Sequence, residues 1–334
     1  MSRYVIVGAG AVGVSLAAEL SAAGIPHVLV GRGASAATLA RDGVTYVRGT
    51  ERLRPTLDVV TSADEVVLEA DDVLVLTTKT QDADAALATW STRPVGDATA
   101  ASLPVVTLQN GLDTERSALR RFERVYGASI LTPARFTEPG EVVVGSVPVV
   151  GVVTLGRAPA GPVDHVAETI AADLRRASYV VQLTDDVLAW KAAKLLWSVR
   201  NGLEVLAGSD AELSDRLMAE AEAALSAGGI TPADPVEDRT EDVTGFGVVD
   251  GAAIRPGQQS TWQSFARGVG SSEIDFLNGE IVLLGRLHGV PTPANAALQQ
   301  VLAAVLGAGG GPDSRDVADV IRIEAQLRGQ VVAA

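Results

Sequence analysis

The sequence predicts an α/β fold in its first half and an all-α region in its second half. Short runs of β-branched residues alternate with helical patterns up to residue 184, which is typical of βαβ units around a parallel sheet. From residue 185 onward, apolar residues follow helical spacing. The length of 334 residues fits two domains at roughly 150 residues each. We therefore place the domains at 1–184 and 185–334.

Each element of this fold rests on a local pattern. In the first domain we predict strands at 4–7, 27–30, 72–76, 105–108 and 179–182, and a helix at 11–23. The valine-rich run 141–153 is broken by glycines and predicts late strands, for which an antiparallel arrangement is one option. In the second domain we predict helices at 185–206, 210–227, 261–288 and 293–306, and a last helix after residue 312. The segment 232–259, rich in Asp, Gly and Pro, predicts a loop or a broken helix.

Composition excludes several classes of function. A net charge of −14 argues against a nucleic-acid partner, because binding to phosphates needs a basic face. The chain has no cysteine, so disulfides, thiolate nucleophiles and cysteine-bound zinc are excluded, and its three histidines show no metal-ligand spacing. No apolar run approaches the ~20 residues of a membrane helix. We expect a soluble, cytoplasmic protein with a small-molecule substrate, no metal and no membrane partner; a homodimer is an option.

A glycine-rich motif predicts a dinucleotide site. It follows the first strand, opens a helix and runs Gly8-Ala9-Gly10-Ala11-Val12-Gly13. In this context Gly8 allows the tight turn, Gly10 lets the backbone approach the pyrophosphate, and Gly13 lets the helix pack close to the strand. The helix N-terminus offers its N–H groups to the phosphates. We therefore predict an N-terminal Rossmann domain.

The end of the second strand favours NADP(H) over NAD(H). NAD enzymes usually carry an acidic residue there, which binds the ribose hydroxyls. This chain instead has Gly31 followed by Arg32. A guanidinium can pair with the 2′-phosphate of NADP, and Ser35 can add a hydroxyl donor. The alternative is a solvated loop arginine.

Further motifs carry a family resemblance. In order they are Thr77-Thr78-Lys79, Leu108-Gln109-Asn110-Gly111, Pro139-Gly140, Asp186 with Lys194-Leu195-Leu196, and Ser272-Glu273-Ile274-Asp275-Phe276-Leu277-Asn278-Gly279. Their order and spacing resemble the ketopantoate reductase family, a branch of the 6-phosphogluconate-dehydrogenase-like oxidoreductases. The resemblance covers nearly the whole chain. It implies a Rossmann domain followed by an all-α domain, and NADPH-dependent reduction of a 2-keto acid to a 2-hydroxy acid, as in pantothenate biosynthesis.

The resemblance also implies a catalytic lysine. Hydride transfer leaves negative charge on the carbonyl oxygen, and an ammonium group can stabilise that charge and donate a proton. Lys194 matches the family position because Leu-Leu follows it and Asp186 lies eight residues before it. Lys191 is the alternative, since the family carries a tryptophan two residues before its lysine and Trp190 lies four before Lys194. We prefer Lys194, because it puts Ser198 rather than an apolar residue where the family has asparagine.

Other site residues follow from the same resemblance. Glu273 matches a glutamate that hydrogen-bonds the substrate hydroxyl and orients the lysine. Thr261 falls at a carboxylate-binding serine, and Ser260 adjoins it. Asn110 is implied as a catalytic residue together with Lys194 and Glu273, and it and Lys79 would contact the nicotinamide ribose or the substrate. The substrate-binding residues implied, with the weakest match last, are Glu273, Thr261, Ser260, Ser198 and Asn201.

Several positions depart from the family pattern. Ser198 replaces an asparagine, Thr261 a serine, and Ser264 a common aspartate. Trp197 and Arg200 interrupt a segment that is normally small and apolar. These changes leave open a relative that acts on another keto acid, carbonyl or imine. A non-catalytic NADP-binding sensor is a third hypothesis, but it would require loss of the lysine or glutamate, and both are present.

Overall fold

The computed structural model describes residues 2–138, 140–268 and 270–333, so Pro139 of the Pro139-Gly140 pair lies outside the described residues. These residues form two compact units. The first comprises 1–109, 114–188 and 236–254, and the second comprises 110–113, 189–235 and 255–334. The domain boundary predicted between residues 184 and 185 stays a prediction. The two units are defined by which residues pack together, and such a grouping does not fix where a folding domain ends.

The first unit is built on an eight-stranded sheet in the order β14-β13-β10-β9-β6-β1-β2-β5. All the strands of the first unit are β1 Tyr4–Val7, β2 His27–Val30, β3 Thr45–Arg48, β4 Glu51–Leu53, β5 Val59–Val60, β6 Val73–Leu76, β7 Pro94–Val95, β8 Ala98–Thr99, β9 Pro104–Thr107, β10 Arg124–Leu131, β11 Ala134–Glu138, β12 Glu141–Val144, β13 Gly151–Ala158 and β14 Tyr179–Thr184. Neighbouring strands of the large sheet are parallel except for β10 and β13. The predicted α/β fold is confirmed. Of the late strands, β12 pairs antiparallel with β11, and β13 pairs antiparallel with β10.

Strand order reverses between β1 and β6. The chain runs outward from β1 to β2 and β5, then restarts at β6 and runs the other way to β9 and β10. In open α/β sheets, ligands bind at such a switch point, beyond the carboxyl ends of the strands. The segments that leave β1 and β6 at this edge carry the glycine motif and Thr77-Thr78-Lys79. The topology therefore brings two predicted motifs to one edge of the sheet.

Both faces of the sheet are covered. Tyr4 and Ile6 of β1 enter one apolar core, whereas Val5 and Val7 enter another. A parallel strand buried on both faces reads as a continuous apolar run, which is how β1 appears in the sequence. The helices of this unit are α1 Ala11–Ala22, α2 Gly33–Asp42, α3 Thr80–Ser91, α4 Asp113–Ala118 and α5 His165–Arg176.

Several features of the first unit were not predicted, among them the strand β10, which lies between β9 and β13 in the large sheet. A four-stranded sheet in the order β11-β12-β3-β4 pairs segments about a hundred residues apart. The segment 236–254 also returns to this unit, where Val249 N donates to Gly145 O at 2.9 Å and Gln182 Nε2 donates to Asp238 O at 2.9 Å. The first unit is therefore assembled from three stretches of chain.

The second unit is helical, as predicted. Its α-helices are α6 Val187–Ser198, which enters the unit at Ala189, α7 Ala211–Ala227, α8 Ser260–Ala266, α9 Asn278–His288, α10 Pro293–Gly307 and α11 Val317–Ala333. They enclose one apolar core that includes Leu195, Leu217 and Leu298. Within the described ranges, no helix is both long enough and apolar enough to cross a bilayer.

Two predicted helices were wrong in extent. The span 261–288 is not one helix: α8 ends at Ala266, a 3-10 helix occupies Glu273–Phe276, and α9 begins at Asn278. Gly268 and Gly270 both have positive φ, at 62° and 70°, values that a right-handed helix does not contain, so α8 cannot continue past Gly268. The span 185–206 likewise divides into α6 and a 3-10 helix at Asn201–Val205.

Candidate active site

The glycine motif forms a tight turn between β1 and α1. Gly8 has φ +124°, and a Cβ there would lie 2.6 Å from Thr78 N. A Cβ on Gly13 would lie only 1.9 Å from Gly8 O. At Gly10 a Cβ would meet nothing within 4 Å, and this residue is exposed. Gly8 and Gly13 therefore hold the turn together, while the backbone at Gly10 stays open to a ligand.

The open turn has the properties that a pyrophosphate needs. Gly10 is the N-cap of α1, no side chain there bonds to the free N–H groups, and the first turn carries no acidic residue. A helix N-terminus of this kind binds anions. Ala9, Ala11 and Val12 are half-buried around it. These residues fit a bound dinucleotide.

Two side chains that the sequence did not assign hold this edge of the sheet in place. Thr77 Oγ1 donates to Gly8 O at 2.7 Å and lies 3.1 Å from Val7 O. Gln109 Nε2 donates to Leu76 O and to Thr78 O, both at 2.9 Å. In the sequence, both residues lie just after a strand, Thr77 after β6 and Gln109 after β9. Their supporting role could not be predicted, because it depends on which strands are neighbours in the sheet.

The position directly after β2 has no room for an acidic side chain. A Cβ on Gly31 would lie 2.5 Å from Ala36 Cβ and 2.7 Å from Ala9 Cβ, so a side chain does not fit. Arg32 follows as the N-cap of α2, and its guanidinium is exposed. Its Nη2 donates to Asp82 Oδ1 at 2.5 Å. The acidic residue that NAD enzymes carry at the end of this strand is sterically excluded, which fits an NADP site.

Lys79 and Asn110 lie in different units. Lys79 is half-buried as the N-cap of α3 in the first unit. Asn110 is half-buried and belongs to the second unit with the loop that follows it. In that loop Gly111 has φ +80°, and a Cβ there would lie 2.4 Å from Phe276 O. The second unit thus brings the Asn110 loop into contact with the turn that carries Glu273.

The two lysines of α6 differ in exposure. Lys191 is 3% exposed, whereas Lys194 is half-buried. Ser198 is buried one turn after Lys194, and its Oγ donates to Lys194 O at 2.9 Å. The Ser198 hydroxyl proton therefore takes part in a hydrogen bond to the helix backbone. The hydroxyl oxygen can still accept a hydrogen bond from a ligand. Lys194 thus exposes more of its side chain than Lys191 does.

Three other predicted residues share the second unit. Glu273 is 6% exposed at the start of its 3-10 helix, where Ser272 Oγ accepts from Ile274 N at 3.3 Å. Thr261 is buried in the first turn of α8, and Ser260 beside it is half-buried. A buried carboxylate and a buried hydroxyl are suited to fix the orientation of a polar ligand.

A buried amide network ties the end of α6 to its neighbours. Asn278 Nδ2 donates to Val199 O at 2.8 Å and to Asn295 Oδ1 at 2.9 Å. Asn295 Nδ2 in turn donates to Glu220 Oε2 at 2.9 Å. Burial raises the pKa of the Glu220 carboxyl, although backbone N–H groups at Ala294 and Asn295 oppose this. The network satisfies a carbonyl that the helix end leaves unpaired.

Trp197 and Arg200 form a stacked pair next to this helix end. The guanidinium carbon of Arg200 lies 4.6 Å from the centroid of the Trp197 ring, a cation–π contact. Trp197 is nevertheless 61% exposed. Asn201 is half-buried at the start of the following 3-10 helix. The departures noted in the sequence thus place a large aromatic surface one turn from Lys194.

Together, the reversed strand order and the open glycine turn define a dinucleotide-binding protein of the Rossmann class. Residues 4–159 match the family model described as "Ketopantoate reductase PanE/ApbA", and residues 187–306 match the model of its C-terminal part. A "2-dehydropantoate 2-reductase" of Mycobacterium tuberculosis is 32% identical over 324 residues, covering 90% of this chain and 96% of that protein. The chain belongs to the ketopantoate reductase family. It is an NADP-dependent oxidoreductase, which confirms the resemblance and the cofactor predicted from the sequence.

Solved structures show the same fold. A ternary complex of D-mandelate dehydrogenase with NADH and anilino(oxo)acetate has a TM-score of 0.73 at 20% identity, covering 92% of this chain and 99% of that one. A dimeric ketopantoate reductase from Staphylococcus aureus has a TM-score of 0.66 at 18% identity, covering 92% and 100%. At these identities the likeness extends to the fold alone.

Proposed function

We propose that the chain reduces a 2-keto acid to the 2-hydroxy acid with NADPH, and that Lys194 is the general acid. The observation that carries this proposal is that Lys194 on α6 is half-buried, in the unit that also holds the buried Glu273. Lys191 is 3% exposed, so less of its side chain than of Lys194 is open to a ligand. This difference supports Lys194 over its neighbour.

The chemistry divides between cofactor and protein. Bound NADPH supplies the hydride. Lys194 stabilises the charge that develops on the carbonyl oxygen and donates the proton that completes the hydroxyl group. Glu273 accepts a hydrogen bond from that hydroxyl group and orients the lysine. Glu273 is suited to this role because a buried carboxylate keeps its position better than an exposed one.

The remaining predicted residues bind the substrate or the cofactor and hold it in position. For the substrate, Asn110, Ser260 and Thr261 offer donors to the carboxylate, while Ser198 and Asn201 offer polar groups near the end of α6. For the cofactor, the proposed holders are the turn at Gly8, Ala9, Gly10, Ala11, Val12 and Gly13, then Arg32 at the 2′-phosphate, and Lys79 and Asn110 at the nicotinamide ribose. Gly10 contributes through its backbone.

Ketopantoate is the first candidate substrate, because the family models and the M. tuberculosis relative carry that activity in their names. A second candidate is a 2-keto acid with a flat, aromatic side chain. The exposed ring of Trp197, one turn from Lys194, favours it, since aromatic faces bind aromatic groups. We also propose a homodimer, as described for the S. aureus reductase.

The proposal is tested by removing each helix ammonium without removing its volume. Lys194→Met should lower kcat by about 10²- to 10⁴-fold, because that is the usual contribution of a general acid. NADPH affinity, measured by fluorescence titration, should stay within twofold. Lys191→Met is the matched control, since it makes the same change three residues away on the same helix.

Two outcomes would count against the proposal. Normal turnover in Lys194→Met would remove the proton-donor role from this residue. Loss of turnover in Lys191→Met alone, with the variant still folded by circular dichroism, would transfer that role to Lys191. Because both variants carry the same change in charge, a general electrostatic effect would appear in both.

A further inference from the structure

We infer that Asp82 lowers the preference of this enzyme for NADPH over NADH by placing a carboxylate beside the 2′-phosphate site at Arg32. The inference rests on the proposed role of Arg32 as the 2′-phosphate ligand. Asp82 is opposite in charge to Arg32 and weakens the contact between Arg32 and the 2′-phosphate. The sequence does not suggest it, because the two residues lie fifty positions apart and Asp82 reads as an ordinary helix acid.

The geometry of the pair is direct. Arg32 Nη2 and Asp82 Oδ1 are 2.5 Å apart. Arg32 is the N-cap of α2, directly after β2, whereas Asp82 lies in the first turn of α3. The side chains are 75% and 42% exposed, so a phosphate can reach the guanidinium from solvent. The guanidinium therefore has a carboxylate partner before any cofactor arrives.

Asp82 is held where it is by its own helix. A carboxylate in the first turn of a helix is stabilised by the positive end of the helix dipole. The short contact to Arg32 engages only one of the five N–H groups of the guanidinium, so a phosphate can bind the others. We therefore expect Arg32 to bind the phosphate while Asp82 stays close by. Two groups of the same sign then share one cation.

The size of the effect follows from Coulomb's law. A carboxylate about 5 Å from a phosphate dianion in a water-like medium changes a binding constant by roughly tenfold, and salt reduces this by a few fold. NADH carries no 2′-phosphate, so the same carboxylate should hardly affect it. Asp82 thus lowers the preference for NADPH over NADH without contacting the nicotinamide.

The test is Asp82→Asn, with dissociation constants for NADPH and NADH measured by fluorescence titration at low and high salt. We expect the NADPH constant to fall about threefold to tenfold at low salt, with a smaller fall at 0.5 M salt. The NADH constant should change less than twofold. Asp84→Asn is the matched control: Asp84 lies on the same helix, makes the same change in charge and pairs with Arg121 at 2.8 Å instead.

The outcomes separate this inference from the proposed function. If Asp82→Asn weakens NADPH binding, then Asp82 orients Arg32 and the inference is overturned; an unchanged NADPH constant overturns it as well. An equal gain in Asp84→Asn would show a general charge effect and would also overturn it. Arg32→Ala tests the underlying assignment separately: a loss for NADPH but not for NADH supports the 2′-phosphate role, and equal losses refute it. A melting temperature for each variant confirms that it folds.

Discussion

Two glycines of the nucleotide turn, three residues apart, should differ in how the same substitution affects the stability of the fold. Gly10 has φ −87° and ψ −171°, values open to any residue, and a Cβ there would meet nothing within 4 Å. Gly13 has no such space, because its Cβ would lie 1.9 Å from Gly8 O and 2.6 Å from Thr77 Oγ1. Alanine at Gly10 should therefore leave the fold intact, whereas alanine at Gly13 should disturb it.

The magnitudes follow from these distances. A carbon and an oxygen do not approach closer than about 3 Å, so α1 would have to move away from β1 by about 1 Å in Gly13→Ala. Overpacking of this kind costs about 1–3 kcal/mol of unfolding free energy. In Gly10→Ala the unfolding free energy should change by less than about 1 kcal/mol. Alanine lowers the entropy of the unfolded chain, which stabilises the fold, but it is a poorer N-cap residue than glycine, and the two effects offset each other. The new methyl group would instead occupy the space of the pyrophosphate and weaken NADPH binding by about ten- to a hundredfold.

The assay pairs urea unfolding with NADPH fluorescence titration on both variants. Gly10→Ala should show a normal midpoint and a weakened dissociation constant. Gly13→Ala should show a lowered midpoint, with binding weakened because the turn is displaced. If Gly10→Ala binds NADPH as the wild type does, close approach of the backbone at Gly10 is not what holds the phosphates, and the reasoning from open space is wrong.

The remaining predictions concern the second unit. Trp197→Ala should lower kcat/KM for phenylglyoxylate by about two- to tenfold, the usual contribution of an aromatic contact, and leave ketopantoate turnover unchanged; equal effects on both substrates would remove the second candidate. Burial raises the pKa of Glu220, so the native state holds this proton to higher pH than the unfolded state does. Its contribution to stability is thus full below the ordinary carboxyl pKa and is lost as pH rises through the raised value. The unfolding free energy of the wild type relative to Glu220→Gln should therefore be greater at pH 4 than at pH 7.5, and a pH-independent difference would contradict the assigned direction.

Local patterns predicted β1, β2, β6 and β9 to within one residue at each end, because each is a short apolar run with a clear boundary. Their neighbour β10 was missed. β1 and β2 begin and end where the sequence placed them. The small sheet that joins β3 to β12 was missed, since its pairing depends on residues about a hundred positions apart. The single helix over 261–288 was wrong because apolar spacing continued through Gly268 and Gly270, whose positive φ values end the helical path.

The candidate site shows the same division between local and long-range information. The glycine turn was predictable because all its residues are adjacent. The exclusion of a side chain at Gly31 was not, because it depends on contacts with Ala9 and Ala36. The pairing of Arg32 with Asp82 and the commitment of the Ser198 hydroxyl to Lys194 O are likewise properties of the folded chain.

The return of 236–254 to the first unit has a consequence for biosynthesis. Its contacts with Gly145 and Gln182 supply hydrogen bonds to the partly built nucleotide-binding unit. A ribosome that has released only the first 184 residues has therefore not yet delivered the last piece of this unit. These hydrogen bonds can form only after the translation of about seventy further residues, at ≈ 5–20 residues per second.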